Sequence, residues 1–260
     1  MAMKDLDDVV VESLDGVEKE ILPYIPYILQ DLWSFGAIPG VVVRLAKTYI
    51  AKDKIRVLDL GCGKGAVSVQ LAKELNCSVK GVDAMADFIE SARNYAFLNG
   101  VQDDCDFVQG DIRVLLQREE EELQYDIVVL GAIGPVLGDM YQTLMSLRPV
   151  IKEGGVVIID DAYIADESNT EYDRCLRKTE FYKQIEDANF AIAREVIFTK
   201  GEILESELEM AQVIKSRIHE LVEREPQKKE LFLGYLASQE YEFEVINHEL
   251  VTGTWLLKQV

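Results

Sequence analysis

From residue 55 onward the chain alternates short apolar runs with stretches of helical period. Runs at 55–60 (IRVLDL), 78–83 (SVKGVD), 105–109 (CDFVQ), 125–131 (YDIVVLG) and 155–160 (GVVIID) predict strands. Between them, 65–76, 85–98, 112–121 and 136–151 space their apolar residues three and four apart and predict helices. The second of these ends in FLNG, where Gly100 is placed as a C-cap. Strand, helix, strand at this spacing predicts a doubly wound α/β fold, a mostly parallel sheet with helices on both faces. Further on, 171–188 predicts a helix, 191–199 a strand and 202–241 a long acidic helical stretch. A final alternating segment, ELVTGTWLLKQ, returns to the sheet.

Upstream, PYIPYILQDLW and IPGVVVRLAKTYIA each set a proline where a first helical turn accepts it. The expected organisation is therefore an N-terminal helical lid over 1–54 and a main domain over 55–260. Within the main domain, a helical cap of about 202–241 is inserted between late strands.

Charge narrows the partners. Twenty-seven Lys and Arg stand against 47 Asp and Glu, a net charge of −20. Phosphate backbones are bound through cationic patches, so this surface argues against nucleic acid and against anionic membranes. The four cysteines (Cys62, Cys77, Cys105, Cys175) lack CxxC spacing and a histidine cluster, so neither a zinc site nor a disulfide framework is expected. The acidic start MAMKDLDD lacks the order of a secretion signal, and no apolar run reaches the length of a membrane span. The expected location is cytoplasmic.

The candidate chemistry sits at strand ends. LGCGKG puts Gly61, Gly63 and Gly65 directly after the first predicted strand, the edge at which open α/β sheets bind ligands. The loop alone leaves three readings open: a tight turn, a dinucleotide site through GxGxxA (Gly61, Gly63, Ala66), or another nucleoside site. Three acids narrow them. Asp59 lies two residues before the first glycine, where a dinucleotide fold usually has an apolar residue. Asp83 ends the second strand, where a carboxylate can accept both hydroxyls of a ribose. Asp111, after the third strand, can accept an exocyclic amine. Each alone is an ordinary helix N-cap, but together they mark one edge.

This ordered set, VLDLGCGKG, GVD, GDI, YDIVVLG and IKEGGVVIIDD, resembles the class I S-adenosylmethionine-dependent methyltransferases over roughly residues 55–160. The resemblance implies a seven-stranded Rossmann-like sheet whose last strand, 253–259, runs antiparallel. It also implies S-adenosylmethionine as cofactor, with Gly61, Gly63 and Gly65 near its methionine part. Asp83 would then hold the ribose, Asp111 and the Ile112 backbone the adenine, and Met85 would pack on the ring. Asp59 and Gly131, at the ends of the first and fourth strands, complete the cofactor edge. Glu153 in KEGG departs from the proline that the family usually has there.

Methyl transfer leaves few marks in sequence, because the cofactor carries the activated carbon. LGAIGPVLGD after the fourth strand is unlike the NPPY run of amino-methyltransferases of adenine or glutamine. There is no Pro-Cys nucleophile, and no two-glutamate loop of the arginine enzymes. Catechol-type enzymes hold magnesium with an Asp at the end of strand four; here that position is Gly131, and no metal is expected. Asp160 and Asp161, after the fifth strand, are the candidates for taking a proton or binding a cationic amine. Tyr24, Tyr27, Trp33 and Phe35 are candidates for a lid over a small-molecule acceptor. His219 and His248 read as structural. The rival functions are a non-catalytic sensor of S-adenosylmethionine or S-adenosylhomocysteine, a protein methyltransferase, and, on GxGxxA alone, an NAD-dependent oxidoreductase.

Overall fold

The computed structural model describes residues 3–49, 54–117 and 124–260. Among them, seven strands form one sheet: β1 (Ile55–Leu60), β2 (Cys77–Asp83), β3 (Cys105–Gln109), β4 (Tyr125–Gly131), β5 (Ile151–Ile164), β6 (Phe190–Ile197) and β7 (Leu250–Gln259). Their order is β3-β2-β1-β4-β5-β7-β6. β1 to β5 run parallel, and β7 lies antiparallel between β5 and β6.

The central strands β1, β4 and β5 are largely apolar because both of their faces are covered, while β3 and β6 at the sheet's edges are more exposed. On one face, Val57, Ile127, Val129, Ile158 and Leu256 pack against α3 (Pro39–Tyr49) and α4 (Ala66–Glu74) through Val42, Ala46, Val67 and Leu71. On the other, Leu58, Leu60, Val128, Ile159 and Trp255 meet Leu144 and Leu147 of α7 (Met140–Leu147) and Phe181 and Ile185 of α8 (Lys178–Asp187). Successive residues of one strand thus belong to opposite cores, the period of two that a pleated strand imposes. α5 (Ala86–Leu98) sets Ile89 and Ala92 against Phe107 of β3, and Gly100, at φ +71°, ends it as expected.

Several boundaries move, each for a local reason. The helix expected at 136–151 starts at Met140, because Ala132, Gly134 and Gly138 all have positive φ and Asp139 then caps the helix with Gln142. Of the helix expected at 112–121, α6 covers Ile112–Leu115, and positions 118–121 lie outside the described residues. The expected helix at 171–188 begins at Lys178. Its polar first part instead forms a loop held by the Arg177 guanidinium, which donates to the carbonyls of Ala165, Asp166 and Ser168. The fifth strand runs on to Ile164, its last four residues paired with β7.

The stretch expected as a helical cap at 202–241 is two helices. They are α9 (Lys200–Arg224), opened by a Thr199–Glu202 capping box, and α10 (Lys229–His248), and the break falls at Pro226. The N-terminal segment contributes α1 (Leu6–Ser13), a 3₁₀ turn at Lys19–Tyr24 and the short α2 (Ile25–Ile28). Val11, Ile21, Ile25, Ile28, Leu29 and Leu32 share one apolar cluster with Ile214, Ile218, Phe232, Tyr235 and Leu236 of α9 and α10. The N-terminal segment and the α9–α10 hairpin therefore form one packed roof at the C-terminal edge of the sheet.

Candidate functional site

β1 pairs with β2 on one side and β4 on the other, which makes its C-terminal end the switch point of the sheet. There the chain turns through Gly61, Cys62, Gly63, Lys64 and Gly65 into α4. Gly61, Gly63 and Gly65 have φ of +69°, +51° and +79°, conformations that side chains rarely adopt. The Gly61 and Cys62 N–H groups both donate to the Val82 carbonyl, at 2.8 and 3.1 Å, tying the loop to β2. A methyl group on Gly61 would stand 2.4 Å from Cγ2 of Ile133.

Asp83 ends β2 facing this loop. Its Oδ2 accepts from the Gly63 N–H at 2.9 Å and its Oδ1 from the Met85 N–H at 2.9 Å. Burial raises its pKa, and the N–H donors offset part of that rise. Each carboxylate oxygen keeps a further lone pair, which suits the two hydroxyls of a ribose. Met85 is half-buried at the foot of α5 and packs into the roof cluster.

Asp111 sits one strand further out and caps α6, its Oδ1 accepting from the Arg113 N–H at 2.8 Å. The Arg113 guanidinium also grips it: Nε lies 3.0 Å from Oδ1 and Nη2 lies 2.7 Å from Oδ2. Burial pushes its pKa up, but the Arg113 bonds outweigh this and hold it below the ordinary value. Arg113 Nη1 donates in addition to the Lys4 carbonyl, so the first described residues run across this corner. Neighbouring Ile112 turns its side chain into the core.

Three expectations need correction. Asp59 is 2% exposed, and its carboxylate accepts from the Ser68 hydroxyl at 2.6 Å. It braces α4 against β1 from inside. Its pKa is pushed up to about 6 by burial, with Ser68 lowering and Asp83 raising it. Asp160 and Asp161 lie within β5 and not after it, and as successive strand residues they point to opposite faces. Asp160 is level with Gly131 of β4, accepts from the Thr254 hydroxyl at 2.7 Å, and is pushed up to about 7 by burial, which Thr254 opposes and Asp161 reinforces. Asp161 accepts from the Ala162 N–H and is raised to about 6 by burial.

The lid aromatics also divide. The Tyr24 hydroxyl donates to Glu225 and the Tyr27 hydroxyl to Glu220, so both are spent on the α9–α10 hairpin and not on a ligand. Phe35 and Trp33 lie on the sheet side. Phe35 reaches to within 3.3 Å of where a Gly63 Cβ would be and packs 5.4 Å from the Phe88 ring; Trp33 stacks on Tyr95. Ala37 covers Gly131, whose added Cβ would be 3.0 Å from that of Ala37. His219 and His248 are exposed on α9 and α10.

Two features had no sequence signal. Lys64 is 5% exposed and reaches the roof, as described below. Asp15, raised to about 7 by burial together with Glu242 and Glu207 while Arg174 opposes, gathers with those acids under α10, where the Tyr172 hydroxyl donates to Glu242 at 2.8 Å. Among the described residues no group of three His, Cys, Asp or Glu is arranged to hold a metal ion, and no helix is long and apolar enough to cross a membrane.

The residues fit a nucleoside cofactor. The glycines remove side chains from the loop at the switch point, and carboxylates stand at two successive strand ends, Asp83 with acceptor capacity left on both oxygens and Asp111 gripped on both by Arg113. Comparison with known proteins gives the same class. Residues 51–227 match a family model described as a methyltransferase domain. The chain is 24% identical over 170 residues to a ubiquinone biosynthesis O-methyltransferase of Rickettsia prowazekii, covering 58% of this chain and 65% of that protein. It is 30% identical over 119 residues to a sterol 24-C-methyltransferase of Gibberella zeae, covering 45% of this chain and 30% of that one. The chain thus spans under two thirds of the length of both relatives. A methyltransferase of Geobacter sulfurreducens, solved with S-adenosyl-L-homocysteine, shares the fold at a TM-score of 0.77 and 17% identity, over 92% of this chain and 98% of that one. The chain belongs to the methyltransferase-domain family, in the class I fold that uses S-adenosylmethionine.

Proposed function

We propose that this protein transfers the methyl group of S-adenosylmethionine to a small-molecule acceptor enclosed between the sheet edge and the helical roof. The observation that carries the acceptor class is the roof itself. The N-terminal segment and the α9–α10 hairpin pack as one unit, and Phe35 and Ala37 lie directly on Gly63 and Gly131. A sheet edge covered in this way suits a small acceptor better than a polymer. The relatives named for ubiquinone biosynthesis and for a sterol are in keeping with that reading.

When bound, the cofactor supplies a methyl carbon activated for in-line displacement, so the protein's part is to position the acceptor and exclude water. Asp83 holds the ribose, Asp111 the adenine amine, and the glycine loop the methionine end. Met85 stands by the ring. Asp160 is the group placed to take a proton: it lies at the edge beside Gly131, and a pKa of about 7 suits a base working near neutrality. Asp161 points to the other face of β5. The N-terminal lid works together with the cap, because Tyr24 and Tyr27 join them.

The test is methyl-labelled S-adenosylmethionine incubated with the protein and a desalted cell extract, with and without the extract's small-metabolite fraction. Label in product only when the metabolites are restored supports the reading. Label in acid-precipitable material would replace it with a macromolecular acceptor. Cofactor binding without transfer would favour a sensor.

A further inference from the structure

The glycine loop carries a buried cation whose hydrogen bonds go to backbone carbonyls, with the Asp31 carboxylate near enough to favour its charge. Lys64 lies between Gly63 and Gly65, and its side chain leaves the loop toward the roof. Its Nζ donates to the Leu29 carbonyl at 2.5 Å and to the Leu32 carbonyl at 3.0 Å. These carbonyls belong to the turn that follows α2, where Leu29 and Leu32 turn their side chains into the roof cluster. Asp31, the acid of that turn, is engaged by Arg217 of α9, whose Nε lies 2.6 Å away. The ring of Phe88 lies 5.9 Å from the ammonium.

The tie is expensive and specifically placed. A lysine amine gives up hydration only where fixed acceptors replace it, and here both acceptors are backbone, 35 and 32 residues upstream. The same short loop holds Asp83 through the Gly63 N–H, one residue before Lys64. Three to five residues beyond the anchored turn, Phe35 lies on Gly63 and Ala37 on Gly131. The segment covering the cofactor edge is thus fastened to the loop that forms the edge.

We propose that Lys64 is a positioning residue that latches the roof to the cofactor loop: its ammonium, on the Leu29 and Leu32 carbonyls, holds residues 29–37 over the glycines, and the cofactor enters or leaves only when those bonds open. This rests on the glycine loop being the S-adenosylmethionine site. Lys64 does not act on the reacting atoms. It acts through the Leu29–Ala37 segment, setting how long the site stays shut.

The experiment uses Lys64→Met, which keeps the length of the side chain without its donors, and Lys64→Arg, which keeps donors. Trp255 is fully buried, so acrylamide quenching of tryptophan fluorescence reads Trp33 in the latched segment. In the folded, ligand-free Lys64→Met variant, quenching of Trp33 rises. S-adenosylhomocysteine then dissociates roughly tenfold faster or more by stopped flow, the scale of one hydrogen bond to a charged group. Lys64→Arg recovers part of both losses. A lysine that serves stability alone would lower the melting temperature and leave quenching and dissociation within threefold of the wild type, which would overturn the proposal. Should Lys64→Met fail to fold, hydrogen exchange on the wild type decides: amides of residues 29–37 gain protection on adding S-adenosylhomocysteine, and equal exchange overturns the latch. Failure of the wild type to bind S-adenosylhomocysteine defeats the site reading instead, and the ligand-free quenching comparison still judges the tie.

Discussion

Replacing Asp83 separates its two duties. In the protein its carboxylate accepts two backbone N–H groups, from Gly63 and Met85, both at 2.9 Å. Asp83→Ala leaves both donors without that partner, and each buried polar group left unmade costs about 1–3 kcal/mol. Part of this is offset because a half-buried charge is removed, as the raised pKa of the acid indicates. A net loss of about 1–3 kcal/mol in a chain of this size lowers the melting temperature by roughly 2–10 °C, so the variant still folds. Binding suffers more. Each ribose hydroxyl donating to the carboxylate contributes about 1.5–3 kcal/mol, so losing both weakens S-adenosylhomocysteine binding by at least about 100-fold. Asp83→Asn keeps one acceptor oxygen but turns its NH₂ toward a backbone donor, and falls between wild type and Asp83→Ala. Calorimetric titration with S-adenosylhomocysteine, beside a thermal scan of each variant, measures both quantities. A folded Asp83→Ala protein with affinity within threefold of wild type would refute the reasoning and leave Asp83 as a brace of the loop alone.

Gly61→Ala forces a side chain into φ +69° and a contact of 2.4 Å with Ile133; it loses at least about 1–2 kcal/mol from the backbone by denaturant titration, and Ile133→Ala relieves the clash but not that cost. Ser68→Ala strips the buried Asp59 carboxylate of its hydroxyl donor, destabilising by about 1–3 kcal/mol while S-adenosylhomocysteine affinity stays within threefold, since Asp59 faces the interior. Asp160 sets opposite pH trends. Its folded pKa, about 7, lies above the unfolded value, so the folded state holds the extra proton between about pH 4 and 7, and its contribution to stability declines as pH rises through that window. Methyl transfer rises over the same range as the base ionises. Asp160→Asn lessens the stability slope in pH-dependent melting, the part left coming from Asp15, Asp59 and Asp161, and removes the rise in rate.

What could be read from the sequence is what local chemistry encodes. Gly61, Gly63 and Gly65 announce positive φ, Asp83 follows directly from the end of its strand, and the apolar runs of β1 and β4 announce a sheet covered on both faces. A position before a glycine loop says nothing of which face its side chain takes; the parity of β1 points Asp59 at Ser68. The strand that carries Asp160 and Asp161 continues past them, and only the pairing of β7 along Asp161–Ile164 extends it. An aromatic segment carries no record of its partners, and those of Tyr24 and Tyr27 lie 201 and 193 residues away at Glu225 and Glu220. Lys64 was invisible for the same reason. Backbone carbonyls leave no trace in a sequence.

The central claim is that the glycine loop and the acids at the ends of β2 and β3 form the S-adenosylmethionine site. A crystal structure with S-adenosylhomocysteine tests it most directly. The account predicts both ribose hydroxyls within hydrogen-bonding distance of Asp83, the adenine amine at Asp111, and the amino-acid end against Gly61 to Gly65 beneath Phe35. A nucleoside bound elsewhere, or one whose ribose is held by other residues while Asp83 keeps only Gly63 and Met85, would contradict it.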